Sequence, residues 1–175
     1  MKKTLLALVV MTIAYGASAQ IEKGRWLAGG NITFTSESTG PNDVDKFSTF
    51  TFSPDAGYFF IDHLAAGLRF DYTSQKNKAA QDAFTRTLIG PFVRYYILPG
   101  QEKINVFADG SFGFGSEGQG THSSLFGYAI KAGPAFFLTK SVALEFALSY
   151  QSIKIHDVSD RDNTFSVGVG FQIHL

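Results

Sequence analysis

Two short clusters of histidine, hydroxyl and acidic residues are the positions in this sequence where hydrolytic chemistry could arise. One contains His122 with Ser123 and Ser124, and the other contains His156 with Asp157 and Ser159. A serine hydroxyl becomes a nucleophile when a histidine takes its proton and an acid orients that histidine. The spacing in both clusters matches no established triad, and polar turns are generally rich in these residue types. We therefore predict no catalytic residue.

Metal-binding patterns are equally weak. The chain has four scattered histidines, at His63, His122, His156 and His174. None forms an H-x-H or HExxH pattern. The acidic stretches PNDVD at 41–45 and DVSDRDN at 157–163 supply oxygen ligands that suit calcium, but the second lacks the glycine and the final glutamate of an EF-hand loop. We predict neither a metal nor a cofactor.

The N-terminal segment has the features of a secretory signal peptide. Lys2 and Lys3 precede an apolar run, and Ala17-Ser18-Ala19 forms a small-x-small cleavage site. The apolar run is shorter than the roughly 20 residues with which a helix spans a bilayer, and no stop-transfer charges follow it. We predict that residues 1–19 are cleaved and that residues 20–175 form one domain.

Composition favours secreted β-structure over a nucleic-acid-binding protein. The chain has 15 basic and 15 acidic residues, so its formal net charge is zero and no nucleic-acid partner is indicated. It contains 18 phenylalanines, 18 glycines and no cysteine. Disulfides and a lipid-modified cysteine are thereby excluded.

Eight segments alternate between apolar and polar residues, as half-buried strands do. The last reads NTFSVGVGFQIHL, with apolar residues at every odd position from Phe165 to Leu175. The eight segments are predicted at 24–36, 47–60, 63–74, 83–97, 103–115, 123–138, 141–152 and 163–175. Short connections at 60–63, 98–103 and 138–141 alternate with long polar ones at 36–46, 74–82, 116–123 and 153–163. The pattern predicts an all-β, eight-stranded antiparallel up-and-down transmembrane barrel with short periplasmic turns and long extracellular loops.

The two faces of these strands differ sharply in charge. One face, which includes Phe112, Phe146 and Phe171, carries no charged residue. The other carries small and polar residues, together with a set of mixed charges: Asp55, Asp71, Asp109 and Glu145 against Arg69, Arg86, Arg94 and Lys131. A charge facing lipid at mid-bilayer costs several kcal/mol, so we predict that the uncharged face meets lipid and that the charges pair inside a filled lumen. A soluble carrier barrel, with the apolar face inside, is the alternative.

Three irregularities mark particular strands. SPDAGYFF, GPFVRYYI and GPAFFLTK place Pro54, Pro91 and Pro134 inside strands two, four and six, where proline removes a ladder donor. We expect a bulge or a local distortion at each proline. In QSIKIHD, Ile153 and Ile155 are apolar at the wrong parity, which indicates either a bulge that shifts the register or an extension of strand seven beyond the membrane. We favour the extension.

The segments GPFVRYY, VALEFALSY and FSVGVGFQIHL, together with the signal peptide and the eight strands, resemble the small outer-membrane β-barrel family of OmpX, Ail and the OmpA membrane domain. The resemblance covers residues 20–175. It implies a Gram-negative outer membrane, contact with membrane lipid and lipopolysaccharide, and recognition of the last strand by the barrel-insertion machinery. Members of the family carry an aromatic terminal residue, whereas this chain ends in Leu175.

The expected function is structural, surface-binding or both, through the extracellular loops of a monomeric barrel that is not an enzyme. Host surfaces, matrix and neighbouring lipopolysaccharide are the expected partners. The alternative is a lipid A-modifying hydrolase, because some eight-stranded outer-membrane barrels are deacylases. Resembling deacylases carry a His-x-Ser-Asn run in the strand before the last, where this chain has Ser149-Tyr150-Gln151-Ser152 without histidine.

The signal peptide leads to a direct prediction. We expect the intact mass of the protein purified from cell envelopes to match residues 20–175, because signal peptidase cleaves after small-x-small sites. A mass that includes residues 1–19 would contradict the prediction.

Overall fold

The computed structural model describes residues 21–39, 45–77, 83–98, 103–119, 121–156 and 160–175, so the predicted signal peptide lies outside the described residues. The strands are β1 Trp26–Thr39, β2 Asp45–Ile61, β3 Leu64–Asn77, β4 Phe84–Tyr96, β5 Ile104–Gln119, β6 Thr121–Phe137, β7 Val142–Ile155 and β8 Arg161–His174. Sequential strands pair antiparallel and β8 pairs with β1, which closes the barrel. The predicted eight-stranded barrel is confirmed. The described residues contain no helix of the length and apolarity needed to cross a bilayer.

Strands are longer than predicted at one end of the barrel. We call this end the distal end. The opposite end, where β1 begins and β8 finishes, is called the terminal end. The predicted loop at 116–123 is wrong, because β5 and β6 pair in unbroken register as far as Gln119 and Thr121. Ladder hydrogen bonds form between backbones, so the polar, glycine-rich sequence does not prevent pairing there.

Side chains alternate across the barrel wall as the charge pattern predicts. Phe112, Phe146 and Phe171 are 50%, 42% and 44% exposed on the outer surface. Arg69 and Glu145 are buried in the lumen, at 2% and 0%. This inside-out arrangement suits a lipid-facing surface and does not favour a soluble carrier.

The lumen is apolar at the terminal end, although the sequence analysis expects a polar inner face. A buried cluster fills this end and contains, from the strands, Leu27, Phe59, Ala65, Phe92, Tyr96, Phe107, Ala135, Ala143 and Ala147. Ile21 joins the cluster from outside the strands, and its carbonyl accepts a 2.7 Å hydrogen bond from the N–H of His63 in the β2–β3 turn. We call this cluster the terminal plug. It closes the barrel at this end with packed side chains.

Proline interrupts the ladders without shifting their register. Between β2 and β3, pairing stops after Phe52–Tyr72 and resumes at Asp55–Arg69 in the same register. Pro91 and Pro134 lie in equivalent interruptions of the β4–β5 and β6–β7 ladders. The expected local distortion is therefore present, but the alternative, a bulge, is wrong at all three prolines. A proline has no N–H group, so it loses the ladder hydrogen bond to one neighbouring strand while its strand stays paired with the other.

β7 continues to Ile155, beyond the predicted end at residue 152, without the bulge that was the alternative, and the parity of Ile153 has a simple cause. The β7–β8 ladder runs in constant register to Lys154. Ile153 therefore points into the lumen, where it is buried against Leu88 and Leu125. A Cβ at Gly127 would lie 3.1 Å from Cγ1 of Ile153, so this glycine makes room for the cluster.

Gly90 lies where the backbone of β5 leaves no room for a side chain. A Cβ at Gly90 would lie 1.9 Å from the carbonyl oxygen of Phe112, whereas one at Gly110 would meet nothing within 4 Å. We expect Gly90→Ala to lower the free energy of unfolding by about 1–3 kcal/mol, since overpacking forces the backbone to shift. The Gly110→Ala control should be nearly neutral. Urea unfolding of the refolded barrel measures both, and equal effects would contradict the argument.

Candidate functional site: the charged lumen

All eight charged residues singled out from the sequence lie on the inner face of the wall. They are Asp55 on β2, Arg69 and Asp71 on β3, Arg86 and Arg94 on β4, Asp109 on β5, Lys131 on β6 and Glu145 on β7. Five of them meet directly above the terminal plug, namely Asp55, Arg69, Arg94, Asp109 and Glu145. We call these five the central ion cluster. The other three lie closer to the distal end.

Arg69 bridges two carboxylates on opposite sides of its guanidinium. Its Nη2 lies 2.9 Å from Oδ2 of Asp55 and 2.9 Å from Oδ2 of Asp109, and its Nη1 donates to Oδ1 of Asp109 at 3.0 Å. The planar fork of arginine matches two carboxylate oxygens, so the Asp109 contact is bidentate. Arg69 thereby links β2, β3 and β5 across the lumen.

Arg94 extends the same cluster to β7. Its Nη2 donates to Oδ2 of Asp109 at 2.7 Å, and its Nη1 lies 3.2 and 3.1 Å from the two carboxylate oxygens of Glu145. The hydroxyl of Tyr96 donates to Oε1 of Glu145 at 3.1 Å. Asp55 receives a further hydrogen bond, at 3.0 Å, from the amide of Gln172 on β8. Side chains from six strands therefore meet in one network.

Aromatic rings complete the surroundings of both arginines. The guanidinium carbon of Arg69 lies 4.7 Å from the ring centroid of Phe92, and that of Arg94 lies 4.7 Å from that of Phe107. Such contacts offset part of the free energy lost when a guanidinium leaves water. With three carboxylates and two guanidinium groups, the central ion cluster carries a formal charge of −1. Lys131 lies directly opposite Asp109 in the β5–β6 ladder, so one further positive charge borders the cluster.

Sequence reasoning missed the polar groups that join the central ion cluster to the terminal plug. Nε2 of His174 lies 3.1 Å from the hydroxyl of Tyr96, and the His174 ring stacks on Phe59. Gln172 belongs to the same inner face of β8 as His174. Parity could have identified these residues, because Tyr96 shares the parity of Arg94 and both β8 residues occupy the even positions predicted to face the lumen.

Asp71 and Lys131 are not brought into an ion pair. Lys131 is buried, at 8% exposure, so an ion pair would be expected. Among the described residues, however, no carboxylate lies within salt-bridge distance of it. Both residues line a cavity of about 330 Å³ in the distal half of the lumen. We call it the distal cavity. A distal apolar cluster of Leu88, Leu125 and Ile153, from β4, β6 and β7, is also buried inside the barrel.

Arg86 forms a separate ion-paired group near the distal rim. This name denotes the strand ends around Glu117, Ser152 and Arg161. Its Nε donates to Glu117 on β5, and its Nη2 lies 3.0 Å from Oδ2 of Asp162 on β8. Glu117 and Asp162 were not predicted, although both have inward parity. Asp162 is well exposed, so its pairing with Arg86 is screened by water and contributes little to stability.

The chemistry of this lumen is charge neutralisation within a rigid wall. The described residues include no group of three or more histidine, cysteine or acidic side chains arranged to hold a metal ion. In the central ion cluster Arg69 contacts two carboxylates and Arg94 contacts three, the third being Asp55 at 3.8 Å, and every carboxylate contacts a guanidinium. The cluster thus ties opposite walls together.

Breaking this cluster should be costly. Arg94→Met keeps the side-chain length but leaves Glu145 and part of Asp109 buried without their partner, which we expect to lower the free energy of unfolding by about 3–5 kcal/mol. The double variant Arg94→Met/Glu145→Gln should recover part of the loss. Arg86→Met, near the rim, is the comparison and should cost less, about 1–3 kcal/mol, because it leaves only one buried carboxylate, Glu117, without its partner, whereas Asp162 remains in water. Urea unfolding in lipid vesicles tests the series, and equal costs for Arg94→Met and Arg86→Met would contradict it.

Comparison with solved structures shows the same fold in outer-membrane proteins. Neisserial surface protein A matches with a TM-score of 0.64 at 20% identity, over 87% of this chain and 98% of that chain. The N-terminal β-barrel domain of Pseudomonas aeruginosa OprF matches with a TM-score of 0.54 at 11% identity, over 86% and 98% of the two chains. At these identities the likeness concerns the fold alone.

A more distant match is the outer membrane enzyme PagL, with a TM-score of 0.49 at 11% identity, over 85% of this chain and 99% of that chain. A search of curated proteins found no match. The family model for the outer membrane protein beta-barrel domain matches residues 4–172. Because that match covers nearly the whole chain, the protein belongs to the outer membrane protein beta-barrel domain family and resides in the outer membrane of Gram-negative bacteria.

Proposed function

We propose that this protein is a non-enzymatic barrel that stabilises the cell envelope and presents a surface-binding rim at its distal end. The terminal end then faces the periplasm and the distal end faces the exterior. The observation that supports this most directly is the continuation of the strands beyond the apolar outer band into an ordered polar rim. Binding surfaces on rigid scaffolds are generally built in this way.

The distal rim is organised by specific contacts among its side chains. Nε of Arg161 donates to the hydroxyl of Ser152 at 2.9 Å, and its guanidinium lies over the ring of Tyr128. The hydroxyl of Tyr150 donates to Oδ1 of Asn163 at 2.9 Å. Aromatic rings form the inner border of this rim, where they suit the membrane–water interface. A rim ordered in this way can present the same surface to each partner.

The lumen supports a structural role more than transport or catalysis. The terminal plug and the central ion cluster fill the half of the barrel nearest the periplasm with packed side chains. An eight-stranded barrel has an interior just wide enough for side chains to fill. At Ser149, in the segment compared with the deacylase pattern, the hydroxyl pairs with that of Ser166 at 2.8 Å instead of with a histidine. The hydrolase alternative gains no support from this pairing.

Cells that lack the gene provide the test. We expect the deletion to reduce adhesion to immobilised extracellular-matrix protein and to increase sensitivity to detergent. The wild-type gene should restore both properties. A variant whose β5–β6 hairpin is shortened from 117–123 to an Asn-Gly turn should restore detergent resistance but not adhesion, because it keeps the barrel and removes part of the rim.

Two outcomes would contradict the proposal. If the deletion strain showed unchanged adhesion and unchanged detergent sensitivity, neither surface binding nor stabilisation of the envelope could be assigned to this protein. A change in the acyl chains of lipid A that depends on the gene, measured by mass spectrometry, would instead favour the hydrolase. A heat-modifiability gel must show that each variant is folded in the outer membrane.

A further inference from the structure

The seam between β1 and β8, which closes the barrel, is hydrogen-bonded along only part of its length. Pairing runs from Leu27–His174 to Ile32–Val169 and stops there. The same register would place Thr33 opposite Gly168 and Phe34 opposite Val167, yet no further pairs form, although β1 continues to Thr39 and β8 begins at Arg161. Each other ladder extends much further towards the distal end. Backbone pairing is therefore absent along the distal half of this seam, although Thr33 and Gly168, the first unpaired positions, still lie side by side. We call this unpaired stretch the opening.

The distal cavity lies directly behind the opening. Its lining includes residues from both unpaired edges, Thr33 on β1 and Thr164, Ser166 and Gly168 on β8. Backbone groups that are unpaired at membrane depth must line a polar or water-filled space, because lipid cannot satisfy them. The opening and the cavity together meet that requirement, so they form one lateral recess in the wall.

The lining of this recess is rich in hydroxyl groups and nearly balanced in charge. Hydroxyls come from residues on β1, β2, β3, β7 and β8, namely Thr33, Thr49, Thr51, Ser53, Thr73, Ser149, Thr164 and Ser166. Lys131 and Asp71 contribute opposite charges, and Arg86 is already paired with Glu117 and Asp162. Such a lining favours an uncharged polar group over an anion or a cation.

Asn31 is the strongest sign that the recess has an occupant. This residue lines the cavity beside the seam and is 5% exposed, and neither its amide nitrogen nor its amide oxygen has a hydrogen-bond partner. A buried amide without partners is costly, so native structures generally pair it. A hydroxyl, which both donates and accepts, could satisfy both atoms.

Apolar side chains border the recess on its outer side. Phe34, Phe165 and Val167 are 69%, 74% and 70% exposed and flank the two unpaired edges. They lie at the distal border of the lipid-facing band, where the acyl chains of the outer leaflet meet their head groups. A molecule in the opening would thus contact apolar surface outside the wall and hydroxyl groups inside it.

From this placement we propose that the β1–β8 opening binds a single-chain amphiphile of the outer leaflet. Its alkyl chain lies against Phe34 and Val167, and its uncharged, hydroxyl-bearing head group enters the distal cavity next to Asn31. The volume of about 330 Å³ accommodates a head group the size of one sugar ring. The assignment to the outer leaflet rests on the proposed orientation, in which the distal end faces the exterior, but not on the proposed binding role of the distal rim.

The probe for the test is octyl β-glucoside with a diazirine in its alkyl chain, applied to the protein in phosphatidylcholine nanodiscs. After irradiation, peptide mass spectrometry should place the adducts on residues 32–34 and 165–168. Unlabelled octyl glucoside should compete for these positions. A probe with the same chain and a trimethylammonium head group should label them at least fivefold less.

A disulfide across the seam supplies a switch. A Cβ at position 168 would lie 4.0 Å from Cβ of Thr33, within disulfide range, and the chain has no cysteine of its own. We expect oxidised Thr33→Cys/Gly168→Cys to lose at least four-fifths of the labelling and to regain it on reduction. Thr33 and Gly168 already lie side by side, so the bond fixes this contact and blocks the further separation of the strands that admits the head group. The control is Thr51→Cys/Thr73→Cys, which removes two cavity hydroxyls within the closed β2–β3 ladder, where these side chains are 3.1 Å apart. It should keep its labelling in both redox states.

Asn31→Ala is a second variant that needs no disulfide, and it should weaken competition by octyl glucoside at least threefold. Heat-modifiability gels confirm folding of all variants. The proposal is overturned by adducts spread evenly around the barrel or by equal labelling with the ammonium probe. It is also overturned if the oxidised and reduced forms of Thr33→Cys/Gly168→Cys are labelled equally. It is also overturned if cross-linking shows the unpaired edges of two copies joined in nanodiscs without the probe, since a second chain would then occupy the opening.

Discussion

Saturation of backbone hydrogen bonds is the constraint from which the rest of this structure follows. A bilayer offers no partner for an exposed N–H or C=O group, so a sheet that crosses it must close on itself. Closure of eight strands leaves a narrow interior, and strand alternation sends every second side chain into it. The charges of this chain can then avoid lipid only by meeting one another inside. The network around Arg69 and Arg94 is the consequence of that confinement.

The lumen divides into zones that differ in physical character. The terminal plug excludes water through apolar packing, and the central ion cluster above it joins opposite walls with charge-assisted hydrogen bonds. Tyr96 links the two zones, since its ring belongs to the plug and its hydroxyl contacts Glu145. Further out, hydroxyl-bearing and other small residues on the inner face line a cavity, while Ile153, Leu88 and Leu125 pack into a separate apolar cluster. The change from filled to open lumen therefore follows side-chain size.

Departures from perfect pairing occur where the chain can tolerate them. Each strand proline removes ladder bonds on one side and keeps the register, so the alternation of faces continues past it. The β1–β8 seam is a larger departure, because seven residues of β1 continue beyond the last pair. Its unpaired edges face a polar recess instead of lipid alone, which is how the general constraint is still met.

The sequence by itself determined which side chains face lipid and which face the lumen. Side-chain direction in a strand alternates locally, so Phe146 and Glu145 could be assigned to opposite faces without knowledge of their neighbours. The same local argument correctly predicted the strand count and the extension of β7. It also placed Asp55, Arg69, Arg94, Asp109 and Glu145 inside the barrel.

Only the tertiary structure decided which of those residues meet. Contacts across the lumen depend on the stagger between strands, and that stagger is set jointly by all eight ladders. Arg94 therefore pairs with Glu145, 51 positions away, while Lys131 remains outside any ion pair in the described residues. Pairing beyond Gly115 in the β5–β6 hairpin and the early end of the β1–β8 seam have the same origin. Both depend on partner strands that no local pattern in the sequence encodes.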